Sequence, residues 1–296
     1  MTDILIYGAG AIGSFLGYLL SEIPGKNAAE RKRIENVALL GRAGHIKAIK
    51  EQGLHVDLGG KREVLFFRHC FSSLDELKAS NYHPRLVIVC VKTHSLPDLS
   101  RELKESGLLE ERFKESLFIL LMNGMGNREV FLKSGLDPAR LQEGITSLGV
   151  LLAGEGKVEL KGRGKTVLQN QIGREDRQFL EKRFSEMGFE IEFSKDFCRQ
   201  QFLKLLVNAA KHAQASHVHV TVDRIDNDIR IAVEDNGIGF DTSRLQDRSP
   251  HGTSGFGLFS IRERLTHMGG GVYIQSGHTK GTKVVLRAPL ENGGSH

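Results

Sequence analysis

Short apolar runs punctuate the first half of the chain at regular intervals: residues 3–8 (DILIYG), 36–42 (NVALLGR), 85–93 (RLVIVCVKT) and 116–124 (SLFILLMNG). Each ends in Gly, Arg, Asn or Thr and reads as a buried strand. Between them the apolar positions recur at helical spacing, in 11–23 (AIGSFLGYLLSEI), 43–52, 73–80 and 96–106. Strands alternating with helices predict βαβ units and a parallel sheet. The polar segment 25–36 (GKNAAERKRIEN) is expected to extend the first helix or its loop.

From about residue 144 the pattern changes to short strands with Gly-rich turns, predicted to be antiparallel, then a charged helix over 175–188 and a strand at 190–195. A long helix is expected after 199. Two alternating segments, 217–224 and 228–236, pair across RIDND, and strands at 271–277 and 282–290 end the pattern after a Gly/Ser-rich loop and a helix over 256–269. The predicted division is 1–198 and 199–296. The fold class is α/β.

With 296 residues, 40% hydrophobic and 26% charged, the composition is that of a globular protein. The formal charge of +5 is scattered rather than blocked, so small phosphate-bearing ligands are expected and nucleic acid is not. Three cysteines without CxxC spacing predict no disulfide framework and a cytoplasmic setting. The apolar runs are too short to span a membrane.

GAGAIG at 8–13 follows a strand and opens a helix, the context a dinucleotide fingerprint needs. Gly8 allows the turn, Gly10 lets a pyrophosphate approach, and Gly13 lets helix and strand pack. Ala9, Ala11 and Ile12 complete the loop, whose N–H groups face phosphates. Arg42 stands where an NAD-binding unit carries an acid, which favours a 2′-phosphate and hence NADP; taken singly, a solvated arginine would look the same. Lys92 and Asn123 end two further strands, at the sheet edge where α/β proteins bind ligands. Lys92 alone also reads as a surface lysine.

With KT at 92–93, NGMGN at 123–127 and EGITSLGV at 143–150, residues 1 to about 210 resemble the ketopantoate reductase (2-dehydropantoate 2-reductase) family. That resemblance implies a Rossmann-type domain, NADP(H), and a small 2-keto acid beside Lys92 and Asn123. In FLKLLVNAAKHAQ at 202–214, Lys204 matches the family's general acid and Asn208 the asparagine one turn on. An ammonium serves as proton donor and charge stabiliser at a carbonyl. His212 stands where a second asparagine is expected, and the family's helical substrate domain has no counterpart beyond it.

Residues from about 200 to 291 instead resemble the ATP-binding domain of sensor histidine kinases, the Bergerat fold, an α/β sandwich. NAAKHA at 208–213 is similar to the N box, DNGIGFD at 235–241 and GFGLFSIRERL at 255–265 to two glycine boxes. The resemblance implies Asp235 on the adenine amino group, Gly237 and Gly239 where the base approaches, and Gly255 and Gly257 at the phosphates. Lys211 and His212 would meet phosphate, Thr282 would close the adenine pocket, and Asn208 would hold Mg²⁺. Lys204 replaces the glutamate usual in the N box, and no phosphoacceptor histidine segment precedes it. DNGIGFD alone is also an Asp-Gly turn. His217 and His219 share a strand face, read as solvated rather than metal-binding.

Both families use a word close to LLVNAA, so the chain reads as a fusion at that word. Three functions stay open: reduction of 2-dehydropantoate, an ATP-binding kinase-like module, and a non-catalytic protein that binds either nucleotide. The expected assembly is a homodimer.

Overall fold

The computed structural model describes residues 3–22, 33–123, 126–195, 197, 213–226, 228–239, 270–277 and 281–289. The chain divides into two compact units, Met1–Asn123 with Asn127–Phe197, and Gly124–Gly126 with Cys198–His296. Among the described residues no helix is long and apolar enough to cross a membrane.

The first unit opens with β1 (Ile4–Tyr7), α1 (Ala11–Leu20), β2 (Ile34–Leu40) and α2 (Ala43–Gln52). There follow β3 (Leu54–Asp57), β4 (Arg62–Leu65), β5 (Phe67–Phe71), α3 (Leu74–Ala79), β6 (Leu86–Val89) and α4 (Leu96–Ser106). The remainder is β7 (Leu117–Leu121), α5 (Asn127–Leu132), β8 (Leu141–Thr146), β9 (Gly149–Gly154), β10 (Lys157–Gly162), β11 (Thr166–Gln169), α6 (Arg174–Glu186) and β12 (Ile191–Ser194).

Eight strands form one sheet in the order β12-β11-β8-β7-β6-β1-β2-β5. From β5 to β8 every pairing is parallel, as the strand–helix alternation predicts. β11 runs antiparallel to β8. The sheet carries a core on each face: Phe15, Leu16 and Leu19 of α1 join Ile4, Ile6 and Leu39 on one, while Leu96, Leu99 and Leu103 of α4 join Leu5, Val87 and Phe118 on the other. α1 is apolar all round because a second sheet, β4-β3-β10-β9, lies against it as well.

One sequence expectation fails, and one unassigned segment gains structure. Residues 34–36 do not extend the first helix or its loop; they begin β2. Ile34 is buried, and buried Asn36 accepts from the Glu22 N–H at 3.0 Å and donates to the Leu20 carbonyl at 3.1 Å. Strand burial therefore outweighs the local charge run. The segment 54–71, unassigned from sequence, forms three strands; β3 pairs in parallel with β10, a partner remote in sequence.

In the second unit, β13 (Val218–Ile225), β14 (Asp228–Asp235), β15 (Gly271–Ser276) and β16 (Thr282–Pro289) form an antiparallel sheet, β13-β14-β16-β15. Register puts Val220, Val233, Val284 and Ile274 in one cross-strand row and Val222, Ile231, Leu286 and Val272 in the next. One face is thus continuously apolar. The adjacent rows carry His219, Glu234, Lys283 and Gln275, with a 2.9 Å Lys283–Glu234 ion pair, on the other face.

Candidate functional site

The reductase-type site lies where β1, β2, β6 and β7 end side by side. Gly8 and Ala9 both donate their N–H to the Leu40 carbonyl at 2.9 Å, tying the glycine loop to the end of β2. Gly8 takes φ +104°, and a Cβ there would lie 2.7 Å from Val91 Cγ1. At Gly13 a Cβ would meet the Gly8 carbonyl oxygen at 2.2 Å, so only glycine lets α1 start this close to β1. Gly10 differs, because a Cβ there would meet no protein atom within 4 Å. Gly10 is the N-cap of α1, with no side-chain cap, so Ala11, Ile12 and Gly13 form the opening turn of α1, whose N–H groups lack intrahelical partners. The chain itself explains two of the three glycines; the space over Gly10 suits a pyrophosphate.

Arg42 follows β2, is exposed, and caps α2 through backbone conformation alone. Lys92 follows β6 in an exposed turn. Asn123 follows β7, exposed, and its carbonyl accepts from the buried Asn127 amide at 3.3 Å. Topology therefore brings Gly8, Arg42, Lys92 and Asn123 to one sheet edge. Lys204 and Asn208 lie outside the described residues.

Sequence reasoning missed the support beneath this edge. His45 of α2 is buried; its Nδ1 accepts the Gly156 N–H at 3.0 Å and its Nε2 lies 2.9 Å from Ser14 Oγ. Nδ1 is therefore unprotonated and Nε2–H donates to Ser14. Burial lowers the His45 pKa, with Glu155 opposing and Arg42 assisting. A histidine three residues after Arg42 was the available signal, but its partners are distant in sequence.

The kinase-type site centres on the end of β14. Asp235 pairs across the sheet with Thr282, and Thr282 with Ser276, putting all three in one row on the apolar face. Asp235 Oδ1 accepts the Gly237 N–H at 2.9 Å, and the Ser276 and Thr282 hydroxyls are 2.9 Å apart. Ser276 and Asn236 were not singled out from sequence. Asn236 Oδ1 accepts the N–H groups of Ser216 and His217, at 3.0 and 2.9 Å.

The glycines here meet the chain's own backbone. A Cβ on Gly237 would lie 2.1 Å from the Ala213 carbonyl oxygen, and one on Gly239 (φ +62°) 2.1 Å from that of Gly277. The Ile238 N–H also donates to the Ala213 carbonyl at 2.8 Å. Lys211, His212, Gly255 and Gly257 lie outside the described residues. His217 and His219 are exposed, and no metal-binding cluster occurs among the described residues.

Residues 4–172 match the family described as ketopantoate reductase PanE/ApbA. The chain belongs to that family. Residues 194–292 match the histidine kinase-, DNA gyrase B- and HSP90-like ATPase family. A 2-dehydropantoate 2-reductase of Pyrococcus horikoshii is 30% identical over 262 residues, 82% of this chain and 77% of that one. A sensor-like histidine kinase of Chloroflexus aurantiacus is 35% identical over 88 residues, 29% of this chain and 15% of that one. The crystal structure of 2-dehydropantoate 2-reductase from Geobacter metallireducens has a TM-score of 0.54 at 23% identity, covering 72% of this chain and 64% of that one, a likeness of fold. This ketopantoate reductase-family chain thus carries a histidine kinase-type ATPase domain in its C-terminal third.

Proposed function

We propose that the chain reduces a small 2-keto acid with NADPH, converting 2-dehydropantoate to pantoate, in the cytoplasm. The supporting observation is the convergence of Gly8, Arg42, Lys92 and Asn123 at the carboxyl edge of adjacent parallel strands. The residues present fit the cofactor: the glycine loop leaves open space over Gly10, and Arg42 is an exposed cation where the adenosine ribose sits in such folds. When bound, a dihydronicotinamide supplies hydride to the keto carbon. Lys92 and Asn123 then hold the keto acid, a cation and an amide facing a carboxylate and a carbonyl. Lys204 gives its proton to the carbonyl oxygen as it gains charge. The products are the 2-hydroxy acid, NADP+ and the neutral amine of Lys204, which water reprotonates.

A second reading, Mg-ATP binding by the C-terminal unit, is favoured by the row Asp235–Thr282–Ser276. A carboxylate beside two hydroxyls at the end of an apolar sheet face suits an adenine amino group and ring. Asn208 would bring an amide oxygen to Mg²⁺. The deciding experiment titrates NADPH and Mg-ATP separately, then adds 2-dehydropantoate and follows NADPH absorbance. Turnover that disappears in Lys204→Ala is expected. Binding of NADPH without turnover would refute the reductase reading and leave a nucleotide-binding protein.

A further inference from the structure

A second charge reaches the first turn of α2, two residues along the chain from Arg42. Glu155 occupies the turn between β9 and β10, and its carboxylate packs on Gly44 in the first turn of α2. A Cβ on Gly44 would lie 2.0 Å from Glu155 Oε1 and 2.8 Å from Cδ, so the glycine makes the room the carboxylate occupies. The turn is fixed by its backbone: the Gly156 N–H donates to buried His45 at 3.0 Å, and the Gly156 carbonyl accepts the His55 N–H at 2.8 Å. Gly156 takes φ +68°, and a Cβ on it would meet Ala48 Cβ at 3.2 Å. Glu155 is itself exposed and forms no ion pair among the described residues. α2 has no acidic residue in its own first turn, so the carboxylate beside this cationic corner comes from a different sheet.

We infer that Glu155 is a specificity-determining residue that opposes Arg42 at the adenosine ribose. In NAD-binding units an acid after the second strand accepts hydrogen bonds from the ribose hydroxyls. Here that position is Arg42, and Glu155 brings the carboxylate to the same corner from the β9–β10 turn. It accepts from a 2′-hydroxyl and repels a 2′-phosphate. The preference for NADPH is accordingly smaller than Arg42 alone would give. This inference rests on the dinucleotide reading of the first unit.

The test measures dissociation constants for NADPH and NADH with the full chain, its Glu155→Gln and its Arg42→Ala variants. Glu155→Gln is expected to tighten NADPH about fivefold (~1 kcal/mol), the scale of one partly screened charge contact. NADH should weaken in the same variant, and the NADPH gain should shrink as salt rises. Arg42→Ala should move the ratio the opposite way. A ratio unchanged in Glu155→Gln but altered in Arg42→Ala overturns this inference alone; a lowered melting temperature with unchanged ratio does so too, leaving Glu155 a partner of the α2 terminus. Failure of the unmodified chain to bind either cofactor overturns both readings together.

Discussion

The glycine loop offers a test in which two neighbouring substitutions should fail differently. Gly13→Ala places a methyl 2.2 Å from the Gly8 carbonyl oxygen and 3.0 Å from Ile6 Cγ2. Neither the turn carbonyl nor the β1 side chain has room to retreat, because Gly8 is itself held against Val91 and hydrogen-bonded to Leu40. Overpacking of this kind costs about 1–3 kcal/mol. Alanine recovers up to about 1 kcal/mol through helix propensity. Taken from the middle of the overpacking range, the net loss of ~1–2 kcal/mol should lower the melting temperature by about 2–8 °C, at the few degrees per kcal/mol usual for a unit of this size.

Gly10→Ala meets no protein atom within 4 Å, so its cost is confined to the backbone, where φ −92° is open to alanine but ψ −149° lies beyond the extended region. Its stability should fall by about 1 kcal/mol or less, the preference of an N-cap for glycine over alanine with no overpacking added. Its NADPH affinity should fall at least about tenfold (~1.4 kcal/mol), since the methyl enters the space a pyrophosphate would take. Thermal unfolding and cofactor titration of both variants decide the matter. A Gly10→Ala protein that binds NADPH normally, or that loses as much stability as Gly13→Ala, would refute the division between a structural and a ligand-facing glycine.

Burial holds the folded-state pKa of His45 below its unfolded value of about 6.5. The unfolded chain therefore takes up more protons as pH falls, and the stability His45 contributes, complete above that value, drains away below it at up to ~1.4 kcal/mol per pH unit. Urea unfolding at pH 7.5 and 5.5 should show a smaller pH-dependent loss in His45→Gln than in the unmodified chain; equal losses would count against it. Asn36→Ala leaves the Glu22 N–H and Leu20 carbonyl without their side-chain partner and should cost about 1–3 kcal/mol, read from the urea midpoint. In Asp235→Asn the side-chain oxygen still accepts the Gly237 N–H, so the circular dichroism spectrum should not change while Mg-ATP binding weakens; an unaltered calorimetric isotherm would remove Asp235 from the adenine site.

The parallel sheet was legible because its strands are buried on both faces and write themselves as unbroken apolar runs between helical periods. Arg42, Lys92 and Asn123 could be found for the same reason: each is the first polar group after such a run. Half of the second sheet was hidden: β9 and β10 form the antiparallel pair the sequence predicts, but β4 carries Arg62 and Glu63 and β3 finds its partner β10 only through the fold. Glu155 had no local signature either. A charged residue between two glycines reads as a hairpin turn, and its neighbour Gly44 becomes visible only when that turn docks on α2. Ser276 belongs beside Thr282 by strand register, which the alternation of a single strand does not specify.

Lys204 belongs to the stretch of chain that joins the two units. Phe197 is buried with Ile145 and Val167 in the first unit. Ala213 is held in the second unit by the Ile238 N–H and by the close approach of Gly237. Residues 198–212, including Lys204 and Asn208, are the covalent span between those two anchors. Asn208, shared by the two motif patterns, belongs to the same span, so one substitution there tests the reductase reading and the Mg-ATP reading together.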